Sequence, residues 1–541
     1  VSDNLLEGAL ALTRGVRAGD APSLGGLRAE DALVTMIDGF RDVTWAAWEG
    51  RAETDAGSRV FLTCLDTMAA TVHGLVADAV MEAGGSFDTI NDEELCDWLT
   101  RHGARPVTIG KTPAERAPIL RALYDVAFGY RDGDVGKADI AAGTAVNDLL
   151  RLVFTYRGHL AYKMQAGMGD AVFGPFYEVL RARGIRFEFF TAATRVGVDP
   201  ESDLVDEVDV VTQVELAKGR DEYEPLVEVQ GLPCWPSQPD WSQLAGDHEG
   251  TDFENELNPL GHKPRTLERG KDFDDVVLGI SVGGLDGIVD ELRARSPRFE
   301  TALASAVTVR TQAFQLWLGS PPENLGWAFG RDSVAGCYVE PLDTYCDMSH
   351  LLPREGGGEE VQGIAYFCGV LDHRDESHAE ATDRVRGHLK DFLHDHLLGL
   401  WPLAGEGGKF RMTHLAGPKA RASATDRLEH QYWRANTSGT ELYVLSCAGT
   451  IGKRLPSGDT GFANLVAAGD WTRNGVDGGC VEAAAISGVQ AAAALIARAA
   501  AAAPAPPPGA DAGPAEPLLP PTPIGCEPTW LTTAVMAPVS P

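Results

Sequence analysis

Residues 461–482 carry the most specific pattern in the chain and have the sequence GFANLVAAGDWTRNGVDGGCVE. An apolar run leads into the Gly469–Asp470 turn, a polar stretch with several glycines follows, and the alanine-rich segment 483–499 comes next. A short apolar run bounded by glycine is typical of a buried strand, and alanine favours helix. The pattern therefore predicts a strand, a turn, a glycine-rich loop and the N-terminus of a helix.

Each part of this unit has chemistry that suits a flavin. Gly469 lets a cofactor approach the backbone, and the Asp470 carboxylate can accept hydrogen bonds from hydroxyl groups. The glycines at 478–479 let the loop pass close to a planar ring. Amide groups of Val481 and Glu482 can face the part of the ring where negative charge accumulates on reduction. From spacing alone, an ordinary connection between a strand and a helix explains the segment equally well.

The segment resembles the C-terminal FAD-binding motif of flavin-containing amine oxidases, phytoene desaturases and related oxidoreductases. In that family a strand ending in Ala-Gly-Asp, here 468–470, leads to a glycine loop and a helix beginning near Glu-Ala-Ala, here 482–484. The resemblance implies FAD as cofactor and an α/β fold, with a discontinuous Rossmann-like FAD domain lacking its N-terminal part and a mixed α+β substrate domain. The cofactor-binding residues it implies are Val196, Gly469, Asp470, Trp471, Gly478, Gly479, Cys480, Val481 and Glu482.

Three upstream segments follow the family's order along the chain. Residues 165–169 (QAGMG) resemble its Gly-Gly-Met turn, and 275–280 (DVVLGI) resemble the strand that returns to the FAD domain. Between them, two alternating segments at 194–199 and 205–214 predict a hairpin. In that hairpin Val196 matches the family's adenine-contacting valine. The resemblance covers about residues 160–500, although each segment alone is equally typical of core packing.

The family's N-terminal GxGxxG turn, which binds the FAD pyrophosphate, has no convincing match in this chain. Residues 24–27 lack a preceding strand, and residues 282–287 follow a strand but come too late in the family order. Three alternatives remain open. A removed segment supplies the unit, a second chain supplies it, or the protein does not bind FAD.

The composition excludes some partners. The 541-residue chain has 46 Lys+Arg against 78 Asp+Glu, and its net charge of −32 disfavours nucleic acid and anionic lipid. Its nine cysteines form no CxxC pair, so we expect a reduced, cytoplasmic protein without a metal site. The N-terminus is acidic where a signal peptide would be basic. Residues 481–503 are mostly alanine and predict a packed helix rather than a membrane span.

Coarser patterns divide the rest of the chain. Helical spacing dominates the first 162 residues and predicts one long helix over 141–162. Further on, the patterns predict helices over 171–183 and 379–397 and strands over 185–190, 273–280, 363–370 and 441–446. The expected division is 1–162 helical substrate or cap region, 163–216 FAD-domain segment with hairpin, 217–272 surface insertion, 273–295 FAD-domain strand and helix, 296–455 substrate domain, 456–500 C-terminal FAD motif and 501–541 disordered tail.

The reaction implied by the resemblance is hydride transfer from a small organic substrate to flavin N5. No acid or base can be assigned from the sequence. The aromatic candidates for ring neighbours are Trp433, Tyr443 and Trp471, and the polar candidates are His350, His373 and Lys453. Cys480 could form a covalent flavin link, but a small buried cysteine at a tight helix start is commoner. The competing hypothesis is a non-catalytic remnant, or a subunit that needs another chain to complete the site.

Overall fold

The structure is a computed structural model that describes residues 29–82, 85–155, 162–253, 263–330, 333–336, 338–355, 358, 360–419 and 421–502. The α-helices of these residues are α1 Ala29–Ala52, α2 Ala56–Ala77, α3 Leu95–Arg101, α4 Pro106–Ile109, α5 Pro118–Val126, α6 Ala142–Phe154, α7 Gly174–Ala182, α8 Asp290–Arg295, α9 Pro297–Ser305, α10 His378–Asp395, α11 Leu397–Leu400, α12 Ala424–Glu429 and α13 Val481–Ala502. A π-helical turn, Gly169–Phe173, leads into α7.

The strands form several separate sheets. They are β1 Thr191–Val198, β2 Val205–Thr212, β3 Val227–Val229, β4 Leu232–Cys234, β5 Lys263–Glu268, β6 Val276–Leu278, β7 Thr308–Leu318, β8 Val334–Ala335, β9 Thr344–Asp347, β10 Gly363–Leu371, β11 Gly405–Glu406, β12 Lys409–Phe410, β13 Tyr432–Asn436, β14 Tyr443–Val444 and β15 Leu465–Ala467. The chain is therefore a mixed α/β structure.

The N-terminal part is helical, in agreement with its three- and four-residue spacing. Helices α1 and α2 pack on each other, and α2 also contacts α3, α4 and α5. The predicted long helix is α6, which runs from Ala142 to Phe154, whereas 156–161 lie outside the described residues. The core of this part includes fully buried Trp98, Leu120 and Tyr124. It also includes Val309 and Leu445, so the helices are anchored on the central sheet region.

The predicted hairpin is present as β1 and β2, which pair antiparallel. The division that makes 217–272 a surface insertion stays a prediction; this segment contributes β5, which pairs with β2 to make a three-stranded sheet. Five of the six residues of β5 are exposed, and two of them are Lys263 and Arg265. A charged edge strand of this kind lacks the apolar alternation by which strands are predicted.

The prediction of a strand over 185–190 was wrong, because these residues have no strand conformation. Their aromatic side chains join a cluster instead. Phe187 and Phe189 lie 4.8 and 5.9 Å from the Tyr177 ring, and Tyr177 also contacts Trp235 at 5.4 Å. Alternating aromatic residues favour a strand only when a partner strand is available, and here packing against α7 and the β4 region takes its place.

Residues 276–278 and 465–467 form a parallel pair, β6 with β15. Leu278, Leu465 and Ala467 lie in one core with α8 and α9. The expectation of a strand buried in a parallel sheet was only partly right, because Val277 is 53% exposed. Helix α13 packs on β15, the neighbouring strand.

The central sheet is antiparallel, with strand order β13-β7-β10-β9-β8 and with β14 pairing β7. The predicted strand over 363–370 is β10, and the predicted helix over 379–397 is mainly α10. A capping box at Ser377 and Glu380 begins α10. The predicted strand over 441–446 is reduced to β14. The sheet and α10 share an aromatic core that includes Phe314 and Phe367.

Two helices of the described residues are long and apolar enough, by length and composition alone, to cross a membrane: Ala56–Ala77 and 481–501. The first is a core helix with buried Leu62 and Ala70. One or two helices of this kind are weak evidence for a membrane protein, because core helices pass the same test. The predicted disordered tail lies outside the described residues beyond Ala502, and the cytoplasmic location stays a prediction.

Candidate functional site

The Gly469–Asp470 turn follows β15 directly and is held by the helix that comes after it. The Gly469 amide donates to Ser487 Oγ on α13 at 2.7 Å. Gly469 has φ 149°, and the indole of Trp471 lies 2.6 Å from where a Cβ at this position would be. Trp471 is buried, and its Nε1 donates to the Ile280 carbonyl at 3.1 Å. The turn therefore connects β15, α13 and the segment after β6.

The side chain of Asp470 is partly buried beside a buried cation. Burial raises the pKa of the Asp470 carboxyl, while the charge of Arg454 and the backbone amides of Asp470 and Trp471 lower it. The Arg454 guanidinium donates to the Asp470 carbonyl at 3.0 Å and to the Leu445 carbonyl at 3.0 Å. Burial also lowers the pKa of Arg454. Arg454 thus holds the Gly-Asp turn against Leu445, the residue that follows β14.

Residues 474–477 form a rigid polar turn. Asn474 Oδ1 accepts from the amides of Val476 and Asp477 at 3.0 and 2.9 Å, and Asp477 Oδ1 accepts from the Asn474 amide at 2.9 Å. Asn and Asp favour such turns because their side chains bond to nearby backbone. Asp477 has φ 60°, which these two residue types tolerate. The turn fixes where the glycine loop begins.

The glycine loop, residues 478–480, faces side chains of this same protein. A Cβ on Gly478 would lie 2.9 Å from Asp148 Oδ2, and a Cβ on Gly479 would lie 2.5 Å from the Tyr443 ring. The Tyr443 hydroxyl donates to the Gly479 carbonyl. The sequence predicts that the space beside these two glycines receives a flavin. In this structure Asp148 and Tyr443 lie in that space. Contact with a flavin stays a prediction.

The start of α13 is open to solvent. Cys480, Val481 and Glu482 are all exposed. Cys480 Sγ accepts from the Ala483 amide at 3.4 Å, and Glu482 forms an ion pair with Arg151 of α6 at 3.2 Å. The expectation that Cys480 is a buried packing residue was wrong, since its position at the loop tip exposes it. An exposed helix start offers backbone N–H groups and the positive end of the helix dipole.

Val196 lies in the same core as the Gly-Asp strand rather than at its loop. It is 3% exposed and packs with Leu278, Ala467 and Trp471. Its amide donates to the Ile288 carbonyl at 2.8 Å, so this N–H already has a partner within the chain. Contact between Val196 and an adenine stays a prediction.

Two other glycine-containing segments, 282–287 and 165–169, pack against neighbouring residues of this chain. Residues 282–284 form a 3₁₀ turn against residues 439–440, and the space beside Gly283 is taken by the Gly439 carbonyl. No helix follows this turn directly, as a phosphate-binding turn requires. In the other segment, 165–169, the space beside Gly169 is bounded by Trp235. Asp170 Oδ1 accepts from the Trp235 amide at 2.8 Å. Residues 24–27 lie outside the described residues.

The aromatic and polar candidates divide into two groups. Tyr443 and Trp471 contact the glycine loop and the Gly-Asp turn, as given above. Trp433 packs between the cores around β13 and α10, with the Arg386 guanidinium 5.9 Å from its ring. His350 bonds to the Met164 carbonyl at 2.8 Å, whereas His373 and Lys453 are exposed. Only the first two aromatics thus lie at the candidate site.

Sequence reasoning missed Asp148 and Arg454, which complete this site. Asp148 comes from α6, more than 300 positions before the loop that it faces. The only signal was that the helix predicted over 141–162 runs towards the next motif while carrying an acid beside apolar Val146 and Leu149. Contacts between such distant segments are decided by packing, and a single sequence does not reveal them.

No protein-family model and no curated protein matches the chain. Among solved structures, the chain is similar to an oxidoreductase from Methanosarcina mazei, at 10% sequence identity and a TM-score of 0.40, over 75% of this chain and 68% of that one. The description as an oxidoreductase belongs to that protein.

Proposed function

We propose that this chain forms the larger part of an FAD-dependent oxidoreductase of the amine oxidase or phytoene desaturase type, with a Rossmann-like FAD domain. The observation that carries the proposal is the unit from β15 to α13, in which a parallel strand ends at a Gly-Asp turn and a glycine loop leads to an exposed helix start. Ligands of parallel sheets bind at this end of the strands.

The residues present suit a flavin in three respects. The Asp470 carboxyl lies beside the turn and can accept hydrogen bonds from hydroxyl groups. The open start of α13 at Val481 and Glu482 can stabilise negative charge. Buried Trp471 and half-buried Tyr443 give the loop an apolar backing. When bound, FAD would supply the capacity to accept a hydride at N5, and the chain would position the substrate and exclude water.

A second candidate function is that of a subunit which needs another chain to complete the site. Within the described residues, β6 pairs only with β15, and Val277 of β6 is 53% exposed. Parallel sheets nearly always have both faces covered and rarely consist of two strands. On α13, Val489 and Ile496 are also exposed. A strand and helix carrying a GxGxxG turn, from a second chain or a further segment, would complete such a sheet.

The test is the visible spectrum of the purified protein. The full chain is expressed alone and together with the products of adjacent reading frames and any in-frame upstream segment, and each preparation is passed through gel filtration. The proposal predicts retained flavin absorbance in at least one preparation, and less of it in Asp470→Ala than in the unaltered protein. Colourless protein in every combination would contradict an FAD-dependent enzyme.

A further inference from the structure

Helices α1 and α2 form an antiparallel hairpin. Near the turn between them, the ring centroids of Trp48 and Phe61 lie 5.7 Å apart. Towards the other end, a carboxylate oxygen of Asp38 lies 3.3 Å from Nδ1 of His73. The two helices therefore lie side by side along most of their length.

The segment around α4 covers one face of this hairpin. The Arg105 guanidinium lies 4.6 Å from the centre of the Trp45 ring on α1. On α2, the Asp66 carboxylate accepts from the Arg105 amide at 2.7 Å and from the Thr108 hydroxyl at 2.6 Å. Trp45 and Asp66, which are both buried, thus mark the covered face.

The opposite face of the hairpin carries an apolar stripe on each helix, and the two stripes together are its outer face. In both stripes the residues follow steps of four, three and four positions, which is the a and d spacing of a coiled-coil seam. The stripe on α1 consists of Met36, Phe40, Val43 and Ala47. The stripe on α2 consists of Phe61, Leu65, Met68 and Val72. At about 100° per residue, the stripes are centred roughly 170° from Trp45 and roughly 130° from Asp66 around their helices.

The large side chains of the outer face are open to solvent. Val43 is 72% exposed, Met68 is 57% exposed, and the two phenylalanines are close to half exposed. No charged side chain interrupts the face on α2, because Arg59 bonds to carbonyls of the hairpin turn and Asp66 lies on the covered face. A helix that is apolar on nearly every side is normally covered by other protein.

The exposed area of this face is close to that of a protein interface. With about 200 Å² for a fully exposed side chain of this size, the outer face and the adjoining Trp48 leave roughly 600 Å² uncovered. Contiguous apolar patches above a few hundred Å² are rare on monomers and mark interaction sites. A standard interface covers about 800 Å² on each partner, so the hairpin and its rim offer enough area for one stable contact.

We propose that the outer face of the α1–α2 hairpin binds the same face of a second copy of this chain. The two hairpins then form a four-helix bundle about a two-fold axis, with the stripes of one copy packed on those of the other. Coiled-coil spacing on both helices favours this partner, because a and d side chains fit between those of a facing helix. A lipid surface requires no such repeat, and the net charge of −32 disfavours anionic lipid. The dimer goes beyond the proposed flavin function and does not depend on it.

The test is the dimer dissociation constant of the full chain, measured by sedimentation velocity over a concentration series. Val43→Lys and Met68→Lys each place a charge on the outer face without altering a buried side chain. Each should raise the dissociation constant by roughly tenfold or more, because a two-fold axis buries the added charge twice. The matched control is Glu49→Lys, at an exposed position of α1 outside the stripe, which should not raise the constant although it changes the charge by more.

Salt separates an apolar contact from an ionic one. Both copies are strongly acidic, so added sodium chloride screens their repulsion and should lower the dissociation constant. A constant that rises with salt would mean that ion pairs hold the dimer, and this result would overturn the proposal.

Three further results would overturn it. The first is a chain that stays monomeric at the highest concentration reached. The second is a dimer that both lysine variants leave intact, since another surface would then hold it. The third is a monomer that floats with neutral phosphatidylcholine vesicles unless Val43→Lys is present, since lipid would then cover the outer face. Circular dichroism spectra check that the variants fold, and if one lysine variant is unfolded the other decides.

Discussion

Gly479 shows why single residues decide the shape of the candidate site. A Cβ at this position would lie 2.5 Å from the Tyr443 ring, and the Tyr443 hydroxyl already bonds to the Gly479 carbonyl. The half-buried Tyr443 ring also packs against Phe128, with ring centroids 5.1 Å apart, and this contact limits its movement. Even one methyl group must therefore displace the loop.

We expect Gly479→Ala to destabilise the protein by about 1–3 kcal/mol, the usual cost of overpacking. The matched control is Gly488→Ala in the interior of α13, where nothing lies within 4 Å of the added Cβ. That change should be neutral or stabilising by about 0.5–1 kcal/mol, because alanine favours helix over glycine. Denaturant unfolding of the full chain measures both. Equal stabilities for the two variants would disprove the tight contact with Tyr443.

At the scale of elements, α5 meets the loop before β9 through a group of three carboxyls, of which two are buried and Glu340 is half-buried. Asp125 of α5 lies near Glu340 and Asp343, with carboxyl oxygens of all three within 4.8 Å of one another. Arg121 donates to Glu340 at 2.9 Å, and Tyr130 donates to Asp125 at 2.5 Å. Burial, together with repulsion from Asp125 and Glu340, raises the pKa of Asp343 to about 8. We therefore expect Asp343 to retain a proton at neutral pH in this contact between the helical part and the central sheet.

The free energy of unfolding should fall as pH rises from about 4 to about 8. In that interval folded Asp343 holds a proton that the unfolded chain has released, so the folded state binds more protons. Asp343→Asn needs no proton and should flatten this dependence, with a difference in slope of up to about 1.4 kcal/mol per pH unit. Urea unfolding across the interval measures it. Asp286→Asn, whose parent side chain is 94% exposed, should leave the slope unchanged.

At the scale of the whole molecule, the parallel pair β6–β15 is a two-stranded sheet within the described residues. Its inner face is buried with α8, α9 and the β1–β2 hairpin, whereas Val277 faces outward. The neighbouring Val466 is fully buried, since α13 covers β15. The boundary between covered and open surface therefore runs between two adjacent strands.

Val277→Lys separates folding of this chain from completion of the proposed FAD domain. Because Val277 is 53% exposed, the variant alone should differ from the unaltered chain by no more than about 0.5–1 kcal/mol. In a flavin-retaining preparation, a lysine on the open face should abolish flavin retention if another strand and helix must pack there. Val334→Lys, at a 65% exposed position of β8, should retain flavin. Undiminished retention in Val277→Lys would contradict packing on this face.

The sequence by itself determined the elements whose signals are local. The helical N-terminal part, the β1–β2 hairpin, β10, α10 and the unit from β15 to α13 all follow from periodicity and turn residues close together in the chain. Local patterns failed where neighbours decide the outcome, as at 185–190, where aromatic packing replaced a strand, and at β5, where an edge position allows a charged strand.

Only the tertiary structure brought Asp148, Tyr443 and Arg454 to the glycine loop and the Gly-Asp turn beside it. These residues come from α6, β14 and the segment after it, and they meet the loop because the N-terminal helices share a core with the central sheet. Periodicity specifies which face of an element is buried, but not which distant element covers that face. For that reason the motif was visible in the sequence, while the side chains that give it its charge were not.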